Sequence, residues 1–422
     1  MALQSSNLAT GLAPVWRDRN LRKLVIARFI SNLGNGLAPI AISFGVLGLP
    51  AGNGKTLSLV MFANMLPLVL FTLVGGVIGD RFPRAALVGL TDIILAIFVM
   101  ANGIALVTGN GSIALFVIVG LFSGFLNAIW YPSMSALTSD LADPKILQES
   151  NSAIMLSSNV AMIVGTGIGG VLVATLGAGW AIFLDGVSFL LAGLIVFSMR
   201  AATPAANTSR STSMLQELRG GWFEFSSRTW VIVVVTSLSL LIAMERAVYS
   251  VIGPLVADKE LGGPKPWSVI LAAMAIGSVV GVLFAAKFKP KYPIRFAVIS
   301  QFPMMLWFFF LGNSTNILLI SICSFILGIA IDLFYVLWIT TLQQRIPKES
   351  LSKVMSYDAF GSLAIAPLGL AIAGPIAEKF GATTVLDWIT ALTFLTLVIP
   401  LCFRDVRSLS RVDHSGEGLS LS

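Results

Sequence analysis

Charged side chains are scarce in this chain of 422 residues: Asp, Glu, Lys and Arg together make up 11% of it, where a soluble domain has about a quarter. Hydrophobic residues make up 56%, and the mean hydropathy is +0.90. Each helical crossing of a bilayer needs roughly 20 mostly apolar residues, and runs such as 229–243 lack the alternation of a transmembrane β-strand. The composition therefore predicts an all-α polytopic membrane protein.

Side chains that commonly serve catalysis are also scarce. The chain has a single histidine, His414, and two cysteines, Cys323 and Cys402, for which the sequence offers no disulfide or metal partner. It contains no phosphate-binding loop of the form GxxxxGK(S/T). We therefore expect no enzymatic activity, no metal site, no cofactor and no ATP-driven pumping by this chain.

Glycine, proline and charge clusters divide the sequence into twelve apolar segments, each long enough to cross a bilayer. The first apolar run is too long for the core of a cleavable signal peptide, and polar residues precede it, so we expect the first span to act as an uncleaved anchor. In chain order, the predicted spans are 21–47, 56–78, 85–107, 112–136, 148–174, 177–199, 229–256, 266–286, 293–312, 314–343, 351–377 and 382–402.

Lysine and arginine are unevenly distributed among the loops that join these spans. If both termini are cytoplasmic, the cytoplasmic segments contain most of the 27 basic residues, and Arg28 and Arg246 lie within spans. An excess of basic residues marks the cytoplasmic side, so the net charge of +7 indicates membrane topology rather than nucleic-acid binding. The chain is predicted to lie in the cell (inner or plasma) membrane. The outer loops contain only Lys55, Lys259, Lys265 and Lys379.

Short matches indicate an internal repeat. The two members of each match are separated by nearly the same number of residues. This spacing predicts two pseudo-symmetric six-span halves, 21–199 and 229–403, in the same membrane orientation. Parallel repeats of this kind are a transporter architecture, with the substrate site at their interface. The matching pairs are Pro144-Lys145 with Pro347-Lys348, Gly165 and Gly170 with Gly369 and Gly374, and Gly76 with Gly281.

The segments outside the halves are predicted to be cytoplasmic: residues 1–20, a linker at 200–228 and a tail at 404–422. The linker begins with a Ser/Thr-rich run, and Ser213 with Gln216 then matches a capping box. Apolar residues follow at helical spacing, which predicts an amphipathic helix on the inner membrane surface over 213–228. The alternative is an N-terminal extension of the seventh span.

The loop after the second span has a distinctive pattern, Gly-x-x-x-Asp-Arg-x-Pro-Arg. Together with twelve spans in two halves, it resembles the major facilitator superfamily, whose motif there is Gly-x-x-x-Asp-(Arg/Lys)-x-Gly-(Arg/Lys)-(Arg/Lys). The resemblance covers roughly residues 20–404, and it implies the major facilitator fold and transport by alternating access. Pro83 departs from the family glycine, and Ala85 departs from the final basic residue. The motif residues are Gly76, Asp80, Arg81, Pro83 and Arg84.

For Asp80, the resemblance implies a role in a gate on the cytoplasmic side. An aspartate at the edge of the hydrocarbon can be stabilised by Arg81 or Arg84, and by the N-terminus of a helix from the other half, whose dipole favours an anion. That last contact exists only when the halves close on the inner side. The alternative interpretation is that the basic residues of this loop only fix the membrane orientation, and that the charge of Asp80 is balanced without any gating role.

The fifth span contains the segment GTGIGG. It is similar to the Gly-Pro-x-x-Gly-Gly motif of proton-coupled exporters in this superfamily, with Thr166 in place of the proline, although close helix packing alone also explains such a run. The stretches 131–152 and 336–363 resemble the drug-efflux branch that includes macrolide and enterobactin exporters. The glycines concerned are Gly165, Gly167, Gly169 and Gly170.

Three charged residues lie deep within the predicted spans: Glu245 and Arg246 in span seven, and Asp332 in span ten. A charge near mid-bilayer costs roughly 2.5–3.5 kcal/mol on insertion scales and usually faces the interior of the bundle. Because neighbours on a helix point about 100° apart, at least one of Glu245 and Arg246 needs a partner on another span. If Arg246 pairs with Asp332, Glu245 is left to carry a proton; the other pairing leaves Asp332.

Further polar and aromatic residues are candidates for a substrate cavity. Arg28, Asn32 and Asn35 form one stripe along span one, although Arg28 can instead extend its charge to the inner surface. Interface anchoring is an equal explanation for Trp130 and Tyr357. Three other acids, Asp92, Asp185 and Asp387, are predicted near span ends as helix caps or partners of loop bases. The remaining cavity candidates are Asn127, Trp130, Tyr335, Tyr357 and Asp358.

These features, with the resemblance, predict a monomeric secondary exporter that extrudes small amphiphilic compounds in exchange for protons. Its partners are then a small-molecule substrate, protons and the lipid bilayer. An importer or lysolipid flippase of the same fold is the alternative, and a non-transporting membrane receptor or scaffold is a more distant one.

Overall fold

The structure is a computed structural model that describes residues 13–143, 146–199 and 222–411. Over these ranges the chain is almost entirely helical, without strands, and twelve of its helices are long and apolar enough to cross a membrane. The predicted all-α fold and its twelve spans are therefore confirmed.

Spans one to six are continuous helices: Arg19–Leu47, Gly54–Arg81, Arg84–Val107, Ile113–Leu141, Leu147–Leu176 and Ala178–Phe197. Polar side chains cap the starts of three of them, including span four at Ser112, because the first N–H groups of a helix have no partner inside it. Asp18 accepts hydrogen bonds from the N–H groups of Asn20 and Leu21 before span one. Asn53 and Thr56 form a reciprocal capping box at the start of span two.

Three of the later spans are interrupted. Span seven, Thr229–Leu261, contains two π-helical stretches, Val248–Ile252 and Ala257–Leu261. Proline lacks a backbone N–H and disrupts a helix that continues through it, so Pro303 begins the second part of span nine and Pro367 lies at the break in span eleven. The later spans are Thr229–Leu261, Pro264–Lys287, Pro293–Ile299 with Pro303–Asn313, Ile317–Arg345, Lys348–Ala364 with Ala366–Phe380, and Ala382–Cys402.

Short helices flank the spans at Ala13–Arg17 and Arg404–Ser408. Most of the predicted linker, 200–221, lies outside the described residues, as do 1–12, 144–145 and 412–422. Residues 222–226 are helical, and a non-helical step at Ser227 and Arg228 separates them from span seven. They are therefore not a continuous extension of that span.

The contacts between helices group the chain into two compact units. Unit 1 consists of the described residues within Met1–Ser209, Tyr249–Ala272 and Leu370–Glu378. In unit 1, span three lies along span six, span two along span four, and span one against spans five and six. These contacts pack the first six spans together within unit 1.

Unit 2 consists of the described residues within Arg210–Val248, Ala273–Gly369 and Lys379–Ser422. In unit 2, span nine contacts spans ten and twelve, and the first part of span seven contacts spans eleven and twelve. Trp307, Phe308 and Trp338 are among the largest fully buried side chains of the chain. The predicted division into two six-helix bundles, 21–199 and 229–403, stays a prediction.

Candidate functional site

A cavity of about 440 Å³ lies within unit 2, between spans seven, nine, ten and eleven. Small-molecule sites commonly measure about 300–1,000 Å³, so the cavity can hold a compound of modest size. Four residues that the sequence singled out line it together: Glu245, Arg246, Tyr335 and Asp358. The remaining wall is mainly apolar and includes Leu, Ile, Met and Phe side chains.

The charged groups of the cavity wall have different partners. Oε2 of Glu245 lies 3.7 Å from Nε of Arg246, which is longer than a hydrogen bond. Both carboxylate oxygens of Asp358 accept from Nε1 of Trp338, at 3.1 and 3.2 Å, and Asp358 is only 8% exposed. When all three charged groups are ionised, two carboxylates and one guanidinium leave the wall with a net charge of one negative unit.

Asp332 is placed differently from the other deep charges. It does not line this cavity, and its carboxylate interacts with the side chain of Ser278 on span eight. Among the described residues, no ion pair joins Asp332 to Arg246, which pairs with its own neighbour Glu245. The pairing that the sequence analysis considered between Arg246 and Asp332 is therefore not formed.

Arg28 of span one belongs to a second polar cluster, in unit 1. Its guanidinium carbon lies 4.5 Å from the centre of the Trp130 ring on span four, a separation at which a cation is attracted to the aromatic face. Arg28 also interacts electrostatically with Asp92 of span three. Arg28 and Trp130 are thus brought together within unit 1, and neither lines the cavity of unit 2.

The asparagines of unit 1 have mainly structural contacts. Nδ2 of Asn32 donates to the hydroxyl of Ser158 at 3.1 Å, which ties span one to span five. Nδ2 of Asn127 donates to the carbonyl oxygen of Ser123 in its own helix. Asn35 is half-buried.

Tyr357 lies outside the cavity lining, although it precedes Asp358. Its ring is 5.8 Å from that of Trp222 and 5.9 Å from that of Phe225. These contacts connect span eleven to the helical residues 222–226, within unit 2.

Two of the acids predicted at span ends are in fact buried inside helices. Asp92 and Asp185 are each 4% exposed, and they lie in the interior of spans three and six. The prediction of caps or loop partners at these two positions was wrong. Asp387, by contrast, does lie near the start of span twelve, where it accepts a hydrogen bond from Asn313 at 2.8 Å.

The loop motif is only partly described. Span two ends at Arg81 and span three begins at Arg84, with Pro83 in the turn between them. Nη1 of Arg84 donates to Oδ1 of Asp140 at 2.7 Å, which ties the start of span three to the end of span four. The surroundings of Gly76 and the side chains of Asp80 and Arg81 lie outside what the structure describes, so the gate role of Asp80 stays a prediction.

The glycine segment of span five packs closely against other helices. A β-carbon at Gly165 would overlap the carbonyl oxygen of Leu33, and one at Gly169 would lie 3.2 Å from Ile40. At Gly170 it would overlap Ser268 of span eight. Only at Gly167, within this segment, would a β-carbon meet open space. Packing therefore accounts for three of the four glycines.

Several wall residues of the cavity were not predicted from the sequence, including Gln301, Trp338 and Ser362. Two of them had a detectable signal. Trp338 follows Tyr335 by three positions, and Ser362 follows Asp358 by four, so each shares a helix face with a recognised candidate. Gln301 had no such signal, because it lies at the break in span nine and shares no continuous helix face with a recognised candidate. Its Nε2 donates to the carbonyl oxygen of Ala330.

The sequence profile of the Major Facilitator Superfamily matches residues 24–369. The chain therefore belongs to this superfamily of membrane transporters, as predicted. It is 28% identical over 402 residues to the multidrug efflux pump Tap of Mycolicibacterium fortuitum, covering 90% of this chain and 92% of the pump. It is 24% identical over 389 residues to the enterobactin exporter EntS of an Escherichia coli O1:K1 strain, covering 89% and 91%. The predicted resemblance to the drug-efflux branch is confirmed.

Solved structures show the same fold. The nucleoside transporter NupG matches with a TM-score of 0.73 at 12% identity, covering 91% of this chain and 98% of that one. A peptide transporter of the POT type matches with a TM-score of 0.70 at 16% identity, covering 94% and 98%. At such low identity these likenesses concern the fold alone.

Proposed function

We propose that this transporter exports small amphiphilic compounds in exchange for protons, by alternating access. The observation that carries this proposal is the cavity of unit 2, where the carboxylates of Glu245 and Asp358 and the guanidinium of Arg246 share a largely apolar wall. An apolar wall with a few fixed polar groups suits an amphiphilic compound. The names of the two relatives, a multidrug efflux pump and an enterobactin exporter, support export as the direction.

Glu245 is the proposed proton carrier. A coupling acid must face the space that the substrate enters, and Glu245 does so whereas Asp332 does not. A carboxylic acid in an apolar cavity is favoured in its neutral form by burial, while an adjacent cation favours the ionised form. The loose contact with Arg246, at 3.7 Å, supplies that cation without a hydrogen bond that would hold the carboxylate permanently ionised.

The orientation of the protein is part of the proposal. The distribution of lysine and arginine supports cytoplasmic termini, and export then moves substrate away from the cytoplasmic side of the cell membrane. We further propose that a single chain is the working unit.

Uphill export is the test of this function. In inverted membrane vesicles that contain the protein, a proton gradient should drive accumulation of a fluorescent amphiphilic dye, and an uncoupler should abolish it. Glu245→Gln should still bind the dye and exchange it across the membrane, because the neutral amide imitates the protonated acid. It should not accumulate the dye against a gradient.

Asp332→Asn is the matched control, since it removes an equally deep carboxylate that is outside the cavity lining. It should retain uphill export. Normal uphill export by Glu245→Gln, with the pH dependence of the parent protein, would remove Glu245 as the carrier. Loss of uphill export only in Asp332→Asn would move that role to span ten.

A further inference from the structure

A contact within unit 1 joins span eleven to the start of span two. The backbone N–H of Gly374 donates to the hydroxyl of Ser58 at 2.7 Å. A β-carbon at Gly374 would overlap the carbonyl oxygen of Gly54, so the two backbones touch directly. Ser58 is 1% exposed because this contact covers it.

Glu378 extends the contact from one helical turn further along span eleven. Its Oε1 accepts a hydrogen bond from the backbone N–H of Lys55 at 3.1 Å, and its Oε2 lies 3.6 Å from Nζ of the same residue. Lys55 is the second residue of span two, where backbone N–H groups have no partner within the helix and the helix dipole favours an anion. Glu378 therefore caps the N-terminus of a helix from a different part of the chain.

The two interactions of Glu378 differ in strength. The Lys55 side chain is 63% exposed, and exposed ion pairs contribute little because water competes for both charges. A hydrogen bond from a backbone N–H to a carboxylate is about twice as strong as one between neutral groups, and the Glu378 side chain is only 24% exposed. The cap, rather than the ion pair, holds this contact.

We propose that Glu378 is a gating residue, whose capping of span two holds the outer side of the transporter closed and whose release accompanies its opening. This inference rests on the alternating access and the orientation proposed above, which place Lys55 in an outer loop. Span two and span eleven belong to different predicted halves, so their contact has to separate when the halves part on that side. Because the two backbones also touch at Gly374, parting of the halves on that side has to break the backbone contact and the cap together.

The test measures how fast a cysteine at position 58 reacts with a membrane-impermeant maleimide. Ser58→Cys is placed in a background in which Cys323 and Cys402 are serine, and a thiol retains a weak acceptor for the Gly374 N–H. Labelling is compared in intact cells and in inverted vesicles, so the same experiment shows from which side of the membrane position 58 is accessible. Neither measurement requires substrate or a proton gradient, and failure of antiport would leave the result interpretable.

Glu378→Ala should raise the labelling rate in intact cells by about fivefold or more, the lower end of typical conformational coupling. Glu378→Gln should raise it less, because the amide oxygen still accepts from Lys55. Lys55→Gln removes only the ion pair, and Glu260→Gln removes another exposed charge of unit 1; both should stay within about twofold of the parent.

Three results would overturn the proposal. An unchanged rate in Glu378→Ala would show that the cap does not control access to position 58. An equal rise in Lys55→Gln would assign the effect to the ion pair. Labelling only in inverted vesicles would place the contact on the inner side.

Discussion

Asp358→Asn tests whether the cavity of unit 2 selects its substrate by charge. Asparagine keeps the size of the side chain and an acceptor for the indole N–H of Trp338, which donates to the carboxylate at 3.1 and 3.2 Å. It removes one of the two carboxylates in the wall. The net charge of the ionised wall thereby changes from one negative unit to zero, with Glu245 and Arg246 left in place.

The size of the cavity sets the expected effect. A sphere of 440 Å³ has a radius of about 5 Å, so a charge near its centre lies roughly 5–8 Å from a wall carboxylate. At an effective dielectric constant of about 20, Coulomb's law gives roughly 2–3 kcal/mol at this separation. That energy corresponds to a rise of roughly 30- to 140-fold in the dissociation constant of a monovalent cation.

The assay is binding to the purified protein of two ions with nearly the same shape and opposite charge, tetraphenylphosphonium and tetraphenylborate. Asp358→Asn should weaken binding of the cation by the stated factor and should not weaken binding of the anion. Asp332→Asn should have a smaller effect on both, because that carboxylate is outside the lining and therefore farther from a bound ion. Equal weakening of both ions by Asp358→Asn would mean that the carboxylate shapes the wall through Trp338 and does not select charge.

Two further predictions concern the inner side and the topology. Asp80→Asn should leave the protein in the membrane but favour inward opening and slow transport, because the proposed contact with a helix N-terminus loses its anion; normal transport at equal abundance would remove the gate role. A cysteine at Asn53 should react with an impermeant thiol reagent in intact cells while one at Ser209 does not, and the reverse pattern would contradict cytoplasmic termini.

The span count could be predicted because it depends on local chemistry. A backbone in hydrocarbon must form its hydrogen bonds internally, which produces long uninterrupted apolar runs that are visible in the sequence. The π-helical stretches of span seven carry no such signal. The first begins at Val248, two positions after Arg246, and the second begins at Ala257, with Pro254 in the short helix between them.

The buried acids show why the sites were harder to predict. A β-carbon at Gly193 of span six would lie 3.0 Å from the β-carbon of Asp92, and one at Gly34 of span one would overlap Asp185. Each acid is thus accommodated opposite a glycine on another span. The periodicity of a single helix does not show which other spans are its neighbours. The sequence therefore did not distinguish an acid buried against another span from an acid near the end of its helix.

The pair in span seven was misjudged for a related reason. Directions around a helix describe where side chains leave the backbone, and the long side chains of Glu245 and Arg246 can bend toward each other, which they do at 3.7 Å. Their contact is nevertheless longer than a hydrogen bond. The direction of side chains on one helix also gives no sign that Asp358 of span eleven lines the same cavity.

Span two connects the two proposed gates, because its N-terminus is capped by Glu378 and its C-terminal end carries Asp80. The cap at Lys55 requires the outer contact to be closed, whereas the contact expected for Asp80 requires the inner side to be closed. If access alternates, the two interactions exclude each other, and each stabilises a different state of one equilibrium. Asp80→Asn and Glu378→Ala should therefore shift that equilibrium in opposite directions, and combining them should return it toward that of the parent protein.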